Sequence, residues 1–355
     1  MAAESATVTR EPRLEFAANL DILRSIAVGL VLLDHVLESV SARHPGLVFH
    51  PYDWCVGRLG VLLFFVHTSL VLNFSMARLR SSGVRLLWTF LVRRAFRLYP
   101  LSILCVLLVF ALHVPTMPFH HDFAWHGWGA LLSNLALTMN LTFTAPVLGP
   151  LWSLPIEAQM YVALPLIFML LGPARSPRIA LALWALACAA AWVQPTLSDR
   201  ANVIGFAPCF MAGVIAYTLS CGGAGRLSSL WWIPFLLAAL CGYAIVQNFL
   251  TGGPYNRPLS WVFCLAIGLA IPGFRDTTAT SLKAAASHIA RYSYGIYLFH
   301  CIALWVGCFV LAGWPEPLQW TIALALLAAM SVGSYHLVEK PAIDLGARLT
   351  GSRTR

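Results

Sequence analysis

Arg24 and His35 lie eleven residues apart in the first long apolar segment of the chain. In an α-helix, eleven residues make about three turns, so both side chains would share one face, roughly 16 Å apart along the axis. Ionisable side chains in a membrane-spanning helix are costly and indicate function. A guanidinium can bind an anion, and burial keeps an imidazole neutral, which is the form that a general base needs. The pair predicts an anion site near the membrane surface and a general base at depth.

The residues next to this pair are also ionisable. Asp21 lies almost one turn before Arg24 and is expected to orient its guanidinium. Asp34 directly precedes His35 and is rotated about 100° away on the helix, which makes it a poor partner for the imidazole. A purely structural His35, hydrogen-bonded to a neighbouring helix, stays open as the alternative.

Arg93, Arg94 and Arg97 form a second group, predicted at the entrance of the third span. Arg94 and Arg97 are three residues apart and share a helix face. Guanidinium forks bind phosphate through paired charged hydrogen bonds, so these residues and Arg24 together predict a ligand rich in phosphate. Arginines at helix ends also serve as topology signals and contacts to lipid headgroups, and this interpretation stays open.

A third group opens the fourth predicted span and contains Trp152, Ser153, Glu157 and Tyr161. Glu157 lies about one turn inside the span, and Tyr161 follows four residues later on the same face. A carboxyl group at this depth must be paired, protonated or in contact with a polar cavity. The spacing predicts that Glu157 meets the hydroxyl groups of an acceptor from the outer side. Trp152, Ser153 and Tyr161 are expected to contact the acceptor or to be structural. An interfacial Trp anchor beside a structural Glu is the alternative.

Polar residues in later segments give a weaker signal. His67 lies in the second predicted span, and Tyr294 and His300 lie in a late one. Such residues most often form hydrogen bonds between helices, so we expect Tyr294 and His300 to be structural or to contact an acceptor. Residues 339–341, Glu-Lys-Pro, follow the last predicted span and are typical of a helix end.

The elements that must position these residues are apolar helices. The chain has 355 residues, of which 59% are hydrophobic and only 10% charged. Apolar runs near 20 residues recur throughout, which predicts an all-α, polytopic membrane protein with about ten transmembrane helices. The predicted spans are 22–40, 57–76, 98–114, 151–171, 178–194, 203–220, 230–248, 258–272, 293–312 and 318–338.

The distribution of charge predicts how these helices are oriented. With a cytoplasmic N-terminus, 19 of the 23 Lys and Arg residues fall in segments on the inner side, as the positive-inside rule requires. Both termini are then cytoplasmic, and the net charge of +9 reflects topology rather than nucleic-acid binding. Segment 125–144 would invert every later loop if it crossed the membrane, so it is predicted as an interfacial or re-entrant helix.

One membrane domain accounts for almost the whole chain. It is predicted over 22–341, between a short cytoplasmic tail at 1–21 and another at 342–355. The N-terminal residues include three Glu and no cleavage site, so no removed signal peptide is expected. The nine Cys are scattered without a CxxC motif, which predicts neither a disulfide framework nor a metal site.

Six motifs along the chain, taken in order, resemble those of the acyltransferase 3 family of integral membrane acyltransferases. They are Asp21-x-x-Arg24 with His35, Gly60-Val-x-x-Phe64-Phe65, Arg93-Arg94-x-x-Arg97-x-x-Pro100, Trp152-Ser153-Leu-x-x-Glu157-x-Gln-x-Tyr161, Ser293-Tyr294-x-Ile-Tyr297-Leu-x-His300 and Glu339-x-Pro341. The family usually has Ser-Gly where Thr68-Ser69 stands, and an apolar residue in place of His67. These departures bear on the packing of the second helix and on the choice of acceptor.

The resemblance implies a ten-helix fold, an acyl-CoA donor that enters from the cytoplasm, and a hydroxyl acceptor. His35 would match the catalytic histidine of the family, Arg24 its paired cation, and Arg94 and Arg97 its arginine motif. Acyl-CoA, with acetyl-CoA as the default, would act as cosubstrate, and no cofactor would be bound permanently. Together with the spacing, this predicts that the donor phosphates contact Arg24, Arg94 and Arg97.

The predicted function is that of a multi-pass O-acyltransferase in the cell (inner) membrane. It would transfer an acyl group to a hydroxyl of a polysaccharide or lipid-linked glycan, with His35 and Glu157 as catalytic residues. The alternative is a secondary transporter of a small metabolite that uses the same two residues as a proton path. The sequence shows no internal repeat, which weighs against a repeat-built transporter. The oligomeric state is not specified by the sequence.

Overall fold

The computed structural model describes residues 17–351, except 45, 47–55, 80, 120–121, 174, 201, 224, 226 and 251–255. Most of the predicted N-terminal tail and the last four residues therefore lie outside the described part of the chain. Within the described residues there are twelve α-helices of ten residues or more and no β-strand.

The helices are numbered α1 to α12 in chain order. They are α1 (Ala17–Arg43), α2 (Val56–Arg78), α3 (Gly83–Leu112), α4 (Gly127–Ala136), α5 (Ser153–Leu171), α6 (Pro177–Leu197), α7 (Val203–Ser220), α8 (Trp232–Ile245), α9 (Arg257–Ala270), α10 (Thr280–Trp305), α11 (Glu316–Ser334) and α12 (Lys340–Leu349). Three π-helical turns extend this pattern: Val246–Leu250 after α8, Val306–Val310 after α10, and Tyr335–Glu339 between α11 and α12.

Eight helical segments of the described chain are long and apolar enough to cross a membrane. Two more segments complete the ten that the sequence predicted. Helix α1 has 27 residues but also carries several charged side chains, and α9 with its last 3₁₀ turn is shorter, at Arg257–Gly273. These segments confirm the prediction of an all-α, polytopic membrane protein.

Segment 125–144, predicted as an interfacial or re-entrant helix, does not form a span. Its main helix, α4, has only ten residues, about 15 Å of helix, which is half the thickness of the hydrocarbon core. Trp125 and Trp128 lie beside its start and are exposed. Aromatic residues of this kind favour the membrane interface, in agreement with the predicted interfacial or re-entrant helix.

The third span begins earlier than predicted. The expected start was residue 98, with the arginines at its entrance, whereas α3 already begins at Gly83 and has 30 residues. Arg93, Arg94 and Arg97 therefore lie in the middle of a helix about 45 Å long. Hydropathy marks only the apolar part of a helix, so the charged N-terminal half of α3 was missed.

The predicted helix end at residues 339–341 is wrong. The helix passes through the π-helical turn Tyr335–Glu339 into α12, which packs against α3. Proline inside a helix removes a hydrogen-bond donor and displaces the carbonyl four residues earlier. The wider π-helical turn just before Pro341 absorbs this change, so the chain continues as a helix into residues predicted as tail.

The centre of the fold is formed by α1 and α2. Helix α1 packs between α2 and α10, and α2 also packs on α7. Two glycines of these interfaces have no room for a Cβ: Gly60 lies against the Ala27 carbonyl, and Gly213 lies against the Val66 carbonyl. Small residues let membrane helices approach closely, so they hold α1, α2 and α7 in contact around the polar residues.

Candidate active site

A buried cavity of about 90 Å³ lies between α1, α2, α3, α5 and α10. We call it the arginine cavity. Seven of the eleven predicted site residues line it, namely Arg24, Arg94, Arg97, Ser153, Glu157, Tyr161 and Tyr294. The sequence thus identified most of the polar side chains of this wall, although they come from four different helices.

A second cavity of about 380 Å³ adjoins the first near the N-terminal end of α1. We call it the entrance cavity. Arg24, His67 and Arg97 line both cavities, and Asp21 and Arg291 line only the entrance cavity. The His67 side chain is buried, and its Nδ1 has no hydrogen-bond partner. An anion that moves from the entrance cavity into the arginine cavity would pass between cationic and polar side chains.

Ser293 on α10 orients Arg24. The Nε of Arg24 donates a hydrogen bond of 2.6 Å to the Ser293 hydroxyl, which in turn donates to the Ala290 carbonyl at 2.8 Å. The predicted orienting residue was Asp21, yet these two side chains form no ion pair in the described chain. The bond to Ser293 uses only Nε, so it leaves the two terminal nitrogens of the guanidinium for other contacts.

Arg97 has a counterion that the sequence did not reveal. Its guanidinium forms an ion pair with Glu339, whose carboxyl group is fully buried, and its Cζ lies 5.7 Å from the ring centroid of Tyr294. The Tyr294 hydroxyl donates to the Leu98 carbonyl at 2.7 Å. The only sign of this counterion in the sequence was an acidic residue at the end of an apolar span. That pattern is equally typical of a helix end.

Arg94 is placed differently from Arg97. Its Cζ lies 5.8 Å from the ring centroid of Phe90, and its buried Nε has no hydrogen-bond partner. A buried cation without a carboxylate partner is costly. Arg94 forms no ion pair within the described chain, although Glu157 lines the same cavity, so a bound anion would stabilise it.

Glu157 lies among the arginines rather than at the outer mouth, where the sequence predicts it. The Tyr161 hydroxyl donates a hydrogen bond to its carboxyl group, and both residues line the arginine cavity. The prediction placed Glu157 one turn inside the span and took the start of the span as its outer surface. The start of α5 is itself buried, so this count put Glu157 too close to the surface. Pro150 just before it accepts a 2.5 Å hydrogen bond from Tyr297, whose hydroxyl also lies 2.7 Å from the Ser153 hydroxyl.

His35 forms a hydrogen-bonded pair with His300 deep in the fold. The His35 Nδ1 lies 2.8 Å from the Val31 carbonyl and 3.3 Å from the His300 Nε2. The His300 Nδ1 lies 3.1 Å from the Ile296 carbonyl. Carbonyl oxygens only accept hydrogen bonds, so both Nδ1 atoms are assigned the proton. The neutral His35 then has its basic lone pair on Nε2.

Two aromatic rings lie between the arginine cavity and the histidine pair. Phe64 and Tyr297 line the cavity, and their ring centroids are 6.1 Å apart. On the other side, the Tyr297 centroid is 6.2 Å from that of His300. His35 and His300 do not line the cavity themselves, so Tyr297, which lines the cavity and lies near His300, marks the side towards the histidines. We call Tyr297 and its neighbour Phe64 the aromatic wall.

Two acidic side chains that do not line the arginine cavity lie close to His35. The ligand atoms of Asp34, His35 and Glu38 lie within 4.8 Å of one another, as do those of His35, His300 and Cys301. Asp34 is thus closer to the imidazole than its helix position suggested. These groups could hold a metal ion, although no spacing motif in the sequence predicted one.

Trp152 lies apart from these groups. The Arg58 Cζ stands 5.8 Å from the centre of its ring, and the Phe206 ring lies 5.5 Å away. Trp152 does not line the arginine cavity. Its predicted contact with an acceptor stays a prediction.

The fold and site together define an integral, multi-pass membrane protein with a polar chamber in its core. A family model described as an acyltransferase domain matches residues 17–337, and the chain belongs to this acyltransferase 3 family. Comparison with curated proteins and with solved structures gave no match. The match confirms the resemblance to the family and supports a membrane acyltransferase. Five of the six motifs lie within the matched residues, and Glu339-x-Pro341 lies just beyond them.

Proposed function

We propose that the protein transfers an acyl group, acetyl in the simplest case, from cytoplasmic acyl-CoA to a hydroxyl of a polysaccharide or lipid-linked glycan. The observation that carries this proposal is the arrangement along α1. Arg24 lines a cavity with two further arginines, and His35 lies three turns deeper with its Nε2 available as a base. A membrane O-acyltransferase of the cell (inner) membrane needs both parts.

The charges of the arginine cavity support a phosphate-rich donor. Glu339 neutralises Arg97, whereas no ion pair with a described carboxylate is found for Arg24 or Arg94. The diphosphate of acyl-CoA would add its negative charge to that of Glu157 and form charged hydrogen bonds with these cations. We propose that it enters through the entrance cavity and binds these two residues, with Arg97 beside them.

The acyl arm must pass the aromatic wall to reach His35. The arginine cavity has room for a few water molecules or a small acyl group, not for a whole CoA arm. Tyr297 is held by two hydrogen bonds, whereas Phe64 makes only apolar and ring contacts. We propose that the Phe64 ring turns aside when the donor binds, which opens the way along α1.

The chemical step we propose is a direct transfer. The Nε2 of His35 takes the proton of the acceptor hydroxyl, and the hydroxyl oxygen attacks the thioester carbonyl. The carbon–sulfur bond breaks, and the CoA thiolate leaves and takes up the proton from the imidazolium. During this step, the Nδ1–H of His35 donates to the Val31 carbonyl and to His300, which orients and stabilises the charged ring.

Glu157 has a different place in this scheme from the one the sequence indicated. It lies beside the cations, hydrogen-bonded to Tyr161, and its carboxyl group would keep the arginines ordered before the donor binds. Its direct part in catalysis stays a prediction. The secondary transporter remains the competing function, since His35 and Glu157 could also carry protons.

The purified protein with acetyl-CoA and a glycan acceptor distinguishes the two functions. An acyltransferase releases CoA, measured with a thiol reagent, and acetylates the acceptor, measured by mass spectrometry. His35→Ala should lower turnover by about a hundredfold or more, while His288→Ala, at an exposed histidine of α10, should not. A chelator should have no effect, because the base acts without a metal. Full turnover in His35→Ala, or no CoA release by the unmodified protein, would contradict the proposal.

A further inference from the structure

A groove on the surface carries a second cluster of arginines, separate from the arginine cavity. It lies between the end of α2, the first half of α3 and the end of α12, and its volume is about 570 Å³. Arg78, Arg85 and Arg93 line it together with Thr89 and Thr350. We call it the surface groove. Its volume is in the range of small-molecule sites.

The surface groove leads towards the arginine cavity along one face of α3. Arg85, Thr89, Arg93 and Arg97 follow each other at intervals of four residues, so they form a stripe on the helix. Arg93 lines the groove and Arg97 lines the arginine cavity, about 6 Å further along the axis. The groove and the cavity share no lining residue, but this distance is short enough for one extended ligand to contact both arginines.

The chemistry of the groove suits a phosphate group. No carboxylate lines it, and no described carboxylate forms an ion pair with Arg78, Arg85 or Arg93. The Nε of Arg93 donates a 2.9 Å hydrogen bond to the Thr350 hydroxyl. This bond fixes the guanidinium and leaves its two terminal nitrogens to bind the ligand.

We propose that the surface groove binds the 3′-phosphate and ribose of the acyl-CoA nucleotide. The inference rests on the proposed function, which places the diphosphate at Arg24, Arg94 and Arg97. In CoA, the nucleotide and the acyl arm leave the diphosphate in opposite directions. If the arm runs inward to His35, the nucleotide must lie outward. There the entrance cavity offers one further cation, Arg291, together with the carboxyl group of Asp21. The surface groove offers three arginines and no carboxylate, so it suits a further phosphate better.

The test compares CoA with dephospho-CoA, which lacks only the 3′-phosphate. Dissociation constants measured by calorimetry on the purified full chain do not depend on turnover. CoA should bind at least about tenfold more tightly than dephospho-CoA, as expected for a charged group that gains hydrogen bonds to guanidinium. In the double variant Arg85→Gln/Arg93→Gln this preference should disappear, because only the affinity for CoA falls.

The control variant is Arg178→Gln, at an exposed arginine of α6 outside the groove, and it should keep the preference. Thr350→Ala removes the bond that fixes Arg93 and should reduce the preference less than the double variant does. Each variant is first checked for an unchanged elution volume in size-exclusion chromatography.

Three results would overturn the inference: equal affinity of the unmodified protein for both nucleotides, an equal loss for both in the double variant, or an unchanged preference in it. Phosphates of anionic lipids are the competing occupant. If lipid occupies the groove, the preference for CoA over dephospho-CoA should change when anionic lipid is added. It should then not depend on Arg85 and Arg93. Failure of the proposed function has a different signature, which is CoA binding without acyl transfer.

Discussion

At the scale of single residues, the pair of histidines decides which atom can act as the base. His300 accepts the Nδ1–H of His35 and has no described contact with the cavity, so it is a positioning residue. Its loss leaves His35 in place but removes one of the two acceptors that hold the ring. The imidazolium formed during transfer also loses a neighbour that accepts its hydrogen bond.

His300→Ala should therefore lower kcat by roughly tenfold to a hundredfold, the value of a hydrogen bond to a charged group. The KM for acyl-CoA should stay the same, because His300 lies behind the aromatic wall. His300→Gln offers an acceptor oxygen at a similar place and should restore part of kcat. A purely structural His300 would instead give proportional losses in folded protein and in activity, measurable by thermal unfolding beside the kinetics.

The ion pair of Arg97 with Glu339 gives a second prediction at this scale. Glu339→Gln leaves the Arg97 cation without its buried counterion, which should lower the free energy of unfolding by about 3 kcal/mol. Glu316→Gln is the matched control, since this glutamate is exposed and its 3.7 Å contact with Arg43 is a surface ion pair. It should change the melting temperature little.

The double variant Arg97→Gln/Glu339→Gln removes both charges together. Its melting temperature should recover much of the loss seen in Glu339→Gln, because no unpaired charge remains. Its activity should not recover, because the site then lacks the Arg97 cation that binds the donor. An unchanged melting temperature in Glu339→Gln would show that the ion pair does not stabilise the fold.

Single residues of the site could be predicted from sequence better than their partners. Arg24, Arg94, Arg97 and Glu157 stood out because charge inside apolar segments is rare, and all four line one cavity. Glu339 could not be assigned, because its partner lies more than two hundred residues away along the chain and only the folded helices bring them together.

At the scale of elements, the apolar centres of the helices were predictable and their charged extensions were not. Helix α3 begins fifteen residues before the predicted span, and α12 continues beyond the predicted helix end. Both extensions carry several charged residues, which lower the hydropathy below that of a predicted span. They pack on each other, so long-range contact rather than local pattern stabilises them.

The contact between these two extensions depends on Gly346. A Cβ at this position would lie 2.8 Å from the Cβ of Phe96 on α3. Gly346→Val should therefore push α12 away, release Thr350 from Arg93 and lower the melting temperature by several degrees. It should also weaken CoA binding in the surface groove.

Gly333→Ala on α11 is the control for helix propensity, because a Cβ added at this position would have nothing within 4 Å. It should leave the melting temperature unchanged or raise it slightly. Equal melting of Gly346→Val and the unmodified protein would show that α12 is not held against α3.

At the scale of the whole molecule, the polar side chains of the site fall into two groups along the helices. The entrance cavity and the surface groove both lie at the end of the helices that is rich in arginine. The aromatic wall of Phe64 and Tyr297 separates them from His35 and the acidic residues around it. This asymmetry agrees with the orientation expected from the charge distribution, in which the proposed donor side would face the cytoplasm.

Sealed membrane vesicles of known orientation test this asymmetry. In inside-out vesicles the arginine-rich side faces the medium, so added acetyl-CoA should drive acylation of an acceptor held in the lumen. In sealed right-side-out vesicles the same acetyl-CoA should give no turnover, because CoA crosses neither the bilayer nor the aromatic wall. Permeabilising these vesicles should restore the rate, and His35→Ala should stay inactive in every preparation. Equal turnover in both sealed orientations would mean that donor and acceptor use the same entrance, which would contradict a chamber closed by Phe64 and Tyr297.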